Sequence, residues 1–292
     1  MVTLVQLRVI DAVRRHGSVT AAAKELRYTQ PSISHHLARL DVEVGTRLVQ
    51  KVGRGIRLTP AGRLLADRAA EIIGRVDSAT AELAALVGLN AGRVRLAGFN
   101  SVMSSLVPEA ATVLAGLHPG LQLGLTDSHP EDALELLRAG QVDVAVIFRY
   151  DDTVPEDGSI RLTHLLDDPL YLLTTGGGTL LADHASKPWI AGCERCRRHL
   201  VEMCEHAGFS PRLAYTTDDM VVMQSLVAAG MGVTTIPGLA LRAHHHPAIT
   251  GTRLPAPPRR IYAATYGEPP DPPATAALLA ALGEAAAAAP RI

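Results

Sequence analysis

Two short helical faces follow each other between residues 17 and 40, separated by a polar break at Arg27, Tyr28 and Thr29. Their apolar positions are Val19, Ala22, Ala23 and Leu26 on the first face, and Ile33, Leu37 and Leu40 on the second. Thr29 is a suitable N-cap, and Pro31 fits the first turn of the helix that follows. The spacing therefore predicts two helices joined by a tight turn, a helix-turn-helix.

The exposed side of the second predicted helix carries short polar groups and cations. Side chains of this kind can reach base edges in the DNA major groove without excess bulk. We therefore expect the second helix to contact the bases of double-stranded DNA. The predicted DNA-binding residues of the two helices are Ser18, Thr20, Thr29, Gln30, Pro31, Ser32, Ser34, His35 and Arg39.

A basic hairpin is predicted directly after these helices. Residues 47–58 contain the turn sequence VGRG at 52–55 between two short strands, and Lys51, Arg54 and Arg57 make it positive. In this position a hairpin can act as a wing that contacts backbone phosphates. The alternative is a generic three-helix domain with a solvated basic loop.

Four motifs in this region occur in an order and spacing that resemble the LysR-type transcriptional regulators. They are GSVTAAAKEL, TQPSISHHLARL, GTRLV and LTPAG, the last at 58–62. The resemblance implies a multidomain chain: an all-α winged helix-turn-helix at 1–58, a linker and dimerisation helix at 59–89, and an effector-binding domain at 93–292. It also implies that this last domain is a two-lobed α/β body like a periplasmic binding protein. Dimers of such proteins commonly pair into tetramers.

A long helix is predicted after the wing, with Thr59 as cap and Pro60 in its first turn. Its apolar residues recur at steps of four and three, a heptad seam: Leu65, Ala69, Ile72, Val76, Ala79, Leu83 and Leu86. Such a seam can simply pack on its own domain. However, a helix over residues 60–87 would be about 40 Å long, more than a small winged domain covers. We therefore expect a homodimer that binds an inverted-repeat operator.

From residue 93 onward, short apolar strands alternate with helices, which predicts a parallel α/β sheet. The predicted strands are 94–99, 121–126, 142–148, 170–175, 213–216, 232–236 and 261–265, and the helices are 102–114, 131–139, 194–206, 218–229 and 274–288. The resemblance implies two crossover strands, placed near 163–166 and 261–265. It divides the domain into lobe I, residues 93–163 and 266–292, and lobe II, residues 164–265.

Ligands of open α/β sheets bind beyond the carboxyl ends of the strands. This rule selects the effector-binding residues Asn100, Ser101, Val102, Ser128, Phe148, Arg149, Thr217, Asp218 and Gly232. Asn100 or Ser101 is expected to cap the following helix, whose free N–H groups would attract a carboxylate. Asp218 would repel a second anionic group, so the expected effector is a small anion or a zwitterion. The alternative is that these residues are ordinary caps and solvated side chains.

A cluster of Cys193, Cys196, His199 and Cys204 suggests different chemistry. Two thiols separated by two residues can form a redox pair or half of a zinc site. Thiols are also ordinary small core residues, and the neighbouring arginines would repel a cation. A redox or metal sensor on the same DNA-binding scaffold is therefore kept as an alternative, and no bound metal is predicted.

Composition and charge agree with a DNA-binding front third. The chain of 292 residues is 47% hydrophobic and 20% charged, with a net charge of −1. This total hides a net charge of +5 over residues 1–90 and −6 over the remainder. The sequence shows neither an apolar run of membrane-spanning length nor a secretory signal, so we expect a cytoplasmic protein. No catalytic arrangement or cofactor loop stands at a convincing spacing, and we expect neither enzyme activity nor a cofactor.

Overall fold

The computed structural model describes residues 1–52, 55–86, 92–150 and 158–289. The chain divides into two compact units, one of residues 1–92 with 135–143 and one of residues 93–134 with 144–292. Each unit contains a hydrophobic core of its own. Among the described residues, no helix combines the length and the apolar character needed to cross a bilayer.

The first unit consists of helices followed by one hairpin and a long helix. Its elements are α1 (Leu4–His16), α2 (Val19–Leu26), α3 (Gln30–Val44), β1 (Val49–Val52), β2 (Gly55–Leu58) and α4 (Pro60–Leu86). Strands β1 and β2 pair antiparallel, with Gln50 opposite Arg57 and Lys51 opposite Ile56. This is a winged helix-turn-helix that runs into a long helix, as the sequence predicts.

Local sequence determines where these helices begin and end. The hydroxyls of Thr3, Ser18 and Thr29 each accept a hydrogen bond from a backbone N–H in the first turn of α1, α2 and α3. Gly17 and Gly45 end α1 and α3 in the left-handed region, at φ 60° and 75°. The capping by Thr29 and the Pro31 in the first turn are confirmed.

The core of the first unit lies between α1, α2, α3 and the start of α4. Ile10, Ala22, Ile33, Leu40 and Leu48 are fully buried in it. The first turns of α4 contribute Ala66 and Ala69 to the same core, and α4 packs along α1. The start of α4 is therefore part of the first unit's core rather than a free linker.

The second unit has two lobes. Its strands are β3 (Arg93–Gly98), β4 (Gln122–Asp127), β5 (Val144–Arg149), β6 (Ile160–Asp168), β7 (Leu170–Thr174), β8 (Pro188–Ala191), β9 (Arg212–Thr216), β10 (Thr234–Pro237), β11 (Thr250–Arg253) and β12 (Arg259–Tyr266). Its helices are α5 (Asn100–Met103), α6 (Leu106–Leu117), α7 (Pro130–Arg138), α8 (Glu194–His206), α9 (Met220–Ala228), α10 (Gly238–Ala243) and α11 (Pro273–Ala288), with a 3-10 turn at Leu181–His184; the part of α7 from residue 135 onward is grouped with the first unit.

Each lobe is built on its own sheet. The first lobe has five strands in the order β4-β3-β5-β12-β6 and helices α6 and α11 packed together beside them. The second has an antiparallel sheet β10-β7-β11 and a parallel pair β8-β9, which a bridge between Trp189 and Val233 joins to β10. The predicted two-lobed α/β architecture is confirmed.

Strand direction and lobe boundaries differ from the sequence prediction. Only β3, β4 and β5, and the pair β8 and β9, are parallel; β12 runs antiparallel to β5 and β6. The predicted crossings at 163–166 and 261–265 lie inside β6 and β12, both of which belong to the first-lobe sheet. The chain changes lobe at Pro169 and between Leu254 and Arg259, so residues 164–168 and 259–265 do not belong to lobe II.

The predicted helix over residues 102–114 is broken. The structure has α5 and α6 on either side of Ser104 and Ser105. Their hydroxyls bond back to the carbonyls of Asn100 and Ser101, which gives this turn hydrogen bonds outside a continuous helical ladder.

Candidate nucleic-acid interface and effector cleft

Helix α3 separates its apolar and polar residues by face. Ile33, Leu37 and Leu40 are buried, while Ser34 and His35 are exposed. Of the other predicted DNA-binding residues, the exposed ones are Thr20, Thr29, Gln30, Pro31, Arg39, Lys51 and Arg57, and the half-buried ones are Ser18 and Ser32. Arg54 lies outside the described residues. The first turns of α3 thus present short polar groups to solvent, as a helix that enters a major groove requires.

Three of these residues also have partners within the domain. Ser18 and Thr29 use their hydroxyls as helix caps, and the Nε of Arg39 donates to Glu43 Oε1 at 3.0 Å. The Arg39–Glu43 pair is largely exposed on the arginine side. The guanidinium of Arg39 therefore stays accessible to solvent while paired with the mostly buried Glu43.

The apolar seam of α4 is divided between two surfaces. Leu65 and Ala69 pack in the core of the first unit, which corrects their assignment to the dimerisation surface. Further along, Ala79 is exposed and so are Ile72, Val76 and Leu83, at 46%, 39% and 63%. The Leu86 side chain lies outside the described residues. Leu64, which lies off the heptad step, is also exposed, at 63%.

A cleft lies between the two lobes of the second unit and encloses about 50 Å³. The first lobe lines it with Phe99, Asn100, Ser101, His129, Phe148, Tyr150 and Arg259, and the second lobe with residues that include Cys193, Cys196, His199, Asp218, Met220, Met223 and Thr235. The cleft occurs at the carboxyl ends of β3 and β5, where the strand-end rule places ligands.

Four of the nine predicted effector residues line this cleft: Asn100, Ser101, Phe148 and Asp218. Arg149 does not line the cleft because successive side chains of a strand point to opposite faces. Phe148 and Tyr150 lie on the face of β5 and its extension that lines the cleft, whereas Arg149 lies near Tyr262 on the other face. The four others, none of which lines the cleft, are Val102, Ser128, Thr217 and Gly232.

The expected helix cap at Asn100 or Ser101 is wrong. The N-cap of α5 is Phe99, without a side-chain hydrogen bond, and α5 has only four residues. Ser101 is instead buried, and its hydroxyl accepts a hydrogen bond of 2.6 Å from Nη2 of Arg259. The hydroxyl of Ser101 therefore orients a buried cation rather than a helix end.

Arg259 lines the cleft and was not among the residues that the sequence analysis selected. Its Nε and Nη2 donate to Asp168 Oδ2 at 2.9 and 2.7 Å, and its guanidinium lies 4.9 and 4.8 Å from the ring centroids of Phe99 and Phe148. Asp168 Oδ1 accepts from the backbone N–H of Leu239 in the second lobe. The pair therefore connects both lobes at the point where β6 and β12 leave the first-lobe sheet.

Two side-chain contacts join the lobes beside the cleft. Arg195 of α8 reaches Glu131 of the first lobe, with Nε 3.0 Å from Oε1, and its Nη1 donates to the Phe148 carbonyl at 2.7 Å. Although desolvation opposes it, a backbone N–H and the Arg195 guanidinium hold the pKa of Glu131 below its usual range. The Nε2 atom of His129 in the first lobe lies 3.4 Å from Oδ2 of Asp218 in the second lobe. These contacts hold the two lobes together beside the cleft.

The cysteine and histidine cluster is divided by the fold. Cys193, Cys196 and His199 line the cleft, and the His199 ring stacks on Tyr150 with a centroid distance of 3.7 Å. Cys204 is instead fully buried in the core. In the described part of the chain, no three His, Cys, Asp or Glu side chains form a group suited to a metal ion.

A polar helix and a basic wing in one unit, with a two-lobed cleft in the other, define a DNA-binding regulator that responds to a small molecule. A family model described as a bacterial regulatory helix-turn-helix protein of the lysR family matches residues 4–63, and the LysR substrate binding domain matches residues 88–287. The chain belongs to the LysR family of transcriptional regulators.

Curated relatives are regulators as well. The RuBisCO operon transcriptional regulator of Acidithiobacillus ferrooxidans is 29% identical over 263 residues, which cover 82% of this chain and 79% of the relative. The HTH-type transcriptional regulator CbbR of Rhodospirillum rubrum is 33% identical over 168 residues, 58% of this chain and 54% of the relative.

Solved structures of full-length LysR-type regulators share the fold. The crystal structure of CbnR, a LysR family transcriptional regulator, matches with a TM-score of 0.72 at 22% identity, over 98% of this chain and 99% of that one. Full-length CbnR complexed with its target DNA matches with a TM-score of 0.70 at 22% identity, over 97% of this chain and 100% of that one.

Proposed function

We propose that α3 is the base-reading helix of this regulator and that β1 and β2 contact backbone phosphates. The supporting observation is the exposed polar surface of the first turns of α3, which includes Ser34 and His35. The hairpin that follows α3 adds the exposed basic side chains of Lys51 and Arg57. Short hydroxyl and imidazole groups contact base edges, whereas lysine and arginine on a hairpin contact phosphates. The domain boundaries of this proposal are 1–58, 59–89 and 93–292.

The exposed seam of α4 supports a homodimer. Ile72, Val76 and Leu83 are large apolar side chains at a spacing that one partner helix can cover. Two base-reading helices held by one pair of α4 helices favour an inverted-repeat operator with half-sites separated by whole turns of DNA. Because its proposed target is chromosomal DNA, we propose that the protein acts in the cytoplasm and has no catalytic activity.

The cleft is proposed to bind a small anionic or zwitterionic effector. Arg195, paired with Glu131, supplies a cation beside the cleft, and the imidazole of His129 supplies a hydrogen-bonding group, whereas Asp218 supplies the negative charge that favours a zwitterion. The enclosed space of about 50 Å³ holds only a few water-sized groups, so larger effectors require the lobes to move apart. An effector that prefers one separation of the lobes shifts the population of regulator states.

Footprinting of the full-length protein on the promoter region next to its own gene tests the DNA-binding part. We expect a protected inverted repeat, and protection without twofold symmetry would contradict the proposed dimer.

Calorimetry with small carboxylates and amino acids tests the cleft. The Asn100→Ala variant should weaken binding, whereas the Ser128→Ala variant, outside the cleft lining, should not. Binding unchanged in Asn100→Ala would place the effector elsewhere.

A further inference from the structure

Two thiols meet where α8 begins. Cys193 is the N-cap of α8 and Cys196 lies in its first turn, with 3.2 Å between the two Sγ atoms. Both side chains are partly exposed, and both line the cleft. Because a disulfide bond measures about 2.05 Å, closure by about 1 Å would join the two sulfurs.

The surroundings of the two thiols make them chemically unequal. A hydrogen bond from the Cys196 thiol, opposed by burial and assisted by the Cys196 backbone N–H, lowers the pKa of Cys193 to about 6. The same contact between the sulfurs, together with burial, raises the pKa of Cys196 well above its usual value. At neutral pH Cys193 is therefore a thiolate and Cys196 a protonated thiol, which is the division of roles that a reactive dithiol needs.

The third cysteine shows what a structural thiol looks like in this fold. Cys204 is fully buried in the core, and burial raises its pKa to about 12. A buried, protonated thiol is chemically inert. Cys193 and Cys196 also pack against this core, but unlike Cys204 they are partly exposed and line the cleft.

The cleft leaves room for a small oxidant beside this pair. Its enclosed space of about 50 Å³ holds roughly three water-sized groups. Hydrogen peroxide, with two oxygen atoms, fits in this space.

We propose that Cys193 and Cys196 are a reactive dithiol that hydrogen peroxide oxidises to a disulfide, giving the effector cleft a covalent input. In the first step the Cys193 thiolate attacks one peroxide oxygen, the O–O bond breaks, and hydroxide leaves and is protonated to water. The Cys193 sulfenic acid is then attacked by the Cys196 sulfur, the S–S bond forms, and the S–O bond breaks with loss of a second water. The two thiols lose two electrons, and one peroxide is reduced to two waters.

Arg195 links this chemistry to the arrangement of the lobes. It lies between the two cysteines in the chain, and its guanidinium holds Glu131 and the Phe148 carbonyl of the first lobe. Formation of the disulfide draws together the turn that carries Arg195 and so displaces these contacts. The regulatory consequence rests on the proposed function, in which the separation of the lobes controls the way the dimer contacts DNA.

Thiol counting on the reduced full-length protein tests the chemistry. After hydrogen peroxide treatment, the wild type and the Cys204→Ala control should each lose two thiols, and mass analysis should locate an internal disulfide between residues 193 and 196. In Cys193→Ser the remaining cleft thiol, Cys196, should be lost much more slowly than in the wild type. Cys196→Ser should stop at a Cys193 sulfenic acid that dimedone traps. Three intact thiols in the wild type, or equal reactivity of Cys193→Ser, would overturn the proposal.

Operator binding of the same proteins tests the regulatory step. Oxidation should change the operator affinity of the wild type and of Cys204→Ala by about fivefold or more, or alter their footprint on the operator. Dithiothreitol should reverse the change. Cys193→Ser should not respond. A disulfide that forms without any change in DNA binding would refute the regulatory step. If the reduced wild type binds no operator, the proposed function fails, while the thiol count still decides the chemistry.

Discussion

Arg259 of β12 and Asp168 of β6 lie directly opposite each other on neighbouring strands and form a salt bridge. Both charged groups are buried between the two lobes of the second unit. Their side chains are 2% and 1% exposed, and Ser101 completes the hydrogen bonds of the guanidinium. The pair lies where both connections between the lobes leave the first-lobe sheet. A buried pair in this position fixes the geometry of the connection, whatever its net contribution to stability.

Removal of one member of this pair should strongly destabilise the second unit. We expect Arg259→Ala to lower its free energy of unfolding by about 3–5 kcal/mol, because Asp168 then remains buried without its partner. Urea unfolding measures the effect. The double variant Arg259→Met/Asp168→Leu should recover part of the loss, and Arg197→Ala, which breaks an exposed pair with Glu194, should cost less than about 1 kcal/mol. Equal losses for Arg259→Ala and Arg197→Ala would show that the buried pair has no special role.

A charge on the exposed seam of α4 should separate the dimer. Ile72→Glu places a carboxylate on the apolar stripe, and we expect the dimer dissociation constant to rise at least tenfold, about 1.4 kcal/mol. Sedimentation equilibrium gives this constant. Asp67→Asn changes an exposed residue on the opposite side of the same helix and serves as the control. A dimer unaffected by Ile72→Glu would move the interface to another surface.

Loss of a wing cation should weaken binding to all DNA sequences alike. For Arg57→Ala we expect the slope of log affinity against log salt to become shallower by about 1, because one phosphate contact and its counterion release are lost. Titrations on operator and random duplex at several salt concentrations measure both slopes. A loss confined to the operator would assign Arg57 to base contact instead.

A change in the base-reading helix should have the opposite character. We expect Ser34→Ala to reduce the preference for operator over random duplex by roughly 1 kcal/mol while the salt slope stays constant. Selection of binding sites from a randomised pool would show which base position is relaxed. An unaltered site preference would remove Ser34 from the set of base contacts.

Two glycines should respond to alanine with opposite signs. Gly17 ends α1 at φ 60° with open space around its Cα, so Gly17→Ala suffers only from backbone strain and should destabilise the first unit by about 1 kcal/mol. Gly283 lies inside α11, exposed and equally uncrowded, and Gly283→Ala should stabilise the second unit by about 0.5–1 kcal/mol. Thermal unfolding of the full chain compares them. A stabilising Gly17→Ala would contradict the left-handed conformation at residue 17.

The reactivity of Cys193 should follow its pKa of about 6. The lowered pKa means that the thiolate is present above this value and is lost as the pH falls through it. The difference in alkylation rate between the wild type and Cys193→Ser gives the rate of the Cys193 reaction. This rate should rise with increasing pH, with a midpoint near pH 6. Cys204 should remain unreactive at neutral pH because burial raises its pKa to about 12. A midpoint near that of an ordinary thiol, about 8.5, would contradict the hydrogen bond between Cys193 and Cys196.

Features that depend on neighbours within one or two helical turns could be predicted from the sequence. The helix-turn-helix, its caps at Thr29 and Thr59, the long α4 and the bounds of α8 all follow from local spacing and capping groups. The family motifs of the first 62 residues belong to this class too, since they specify side chains along a contiguous segment. Four of the cleft residues followed from the rule that ligands bind at strand ends.

Only the tertiary structure decided which distant segments of the chain contact each other. Arg259 and Asp168 are 91 residues apart, so nothing in either local sequence shows that they pair. Leu65 and Ala69 fit a heptad as well as Ile72 does, and only the packing of α1 on α4 shows which of them are already buried. Strand direction in the first-lobe sheet has the same origin. Hydrophobic spacing specifies which face of an element is apolar, but the partner that covers that face is selected by the whole chain as it folds.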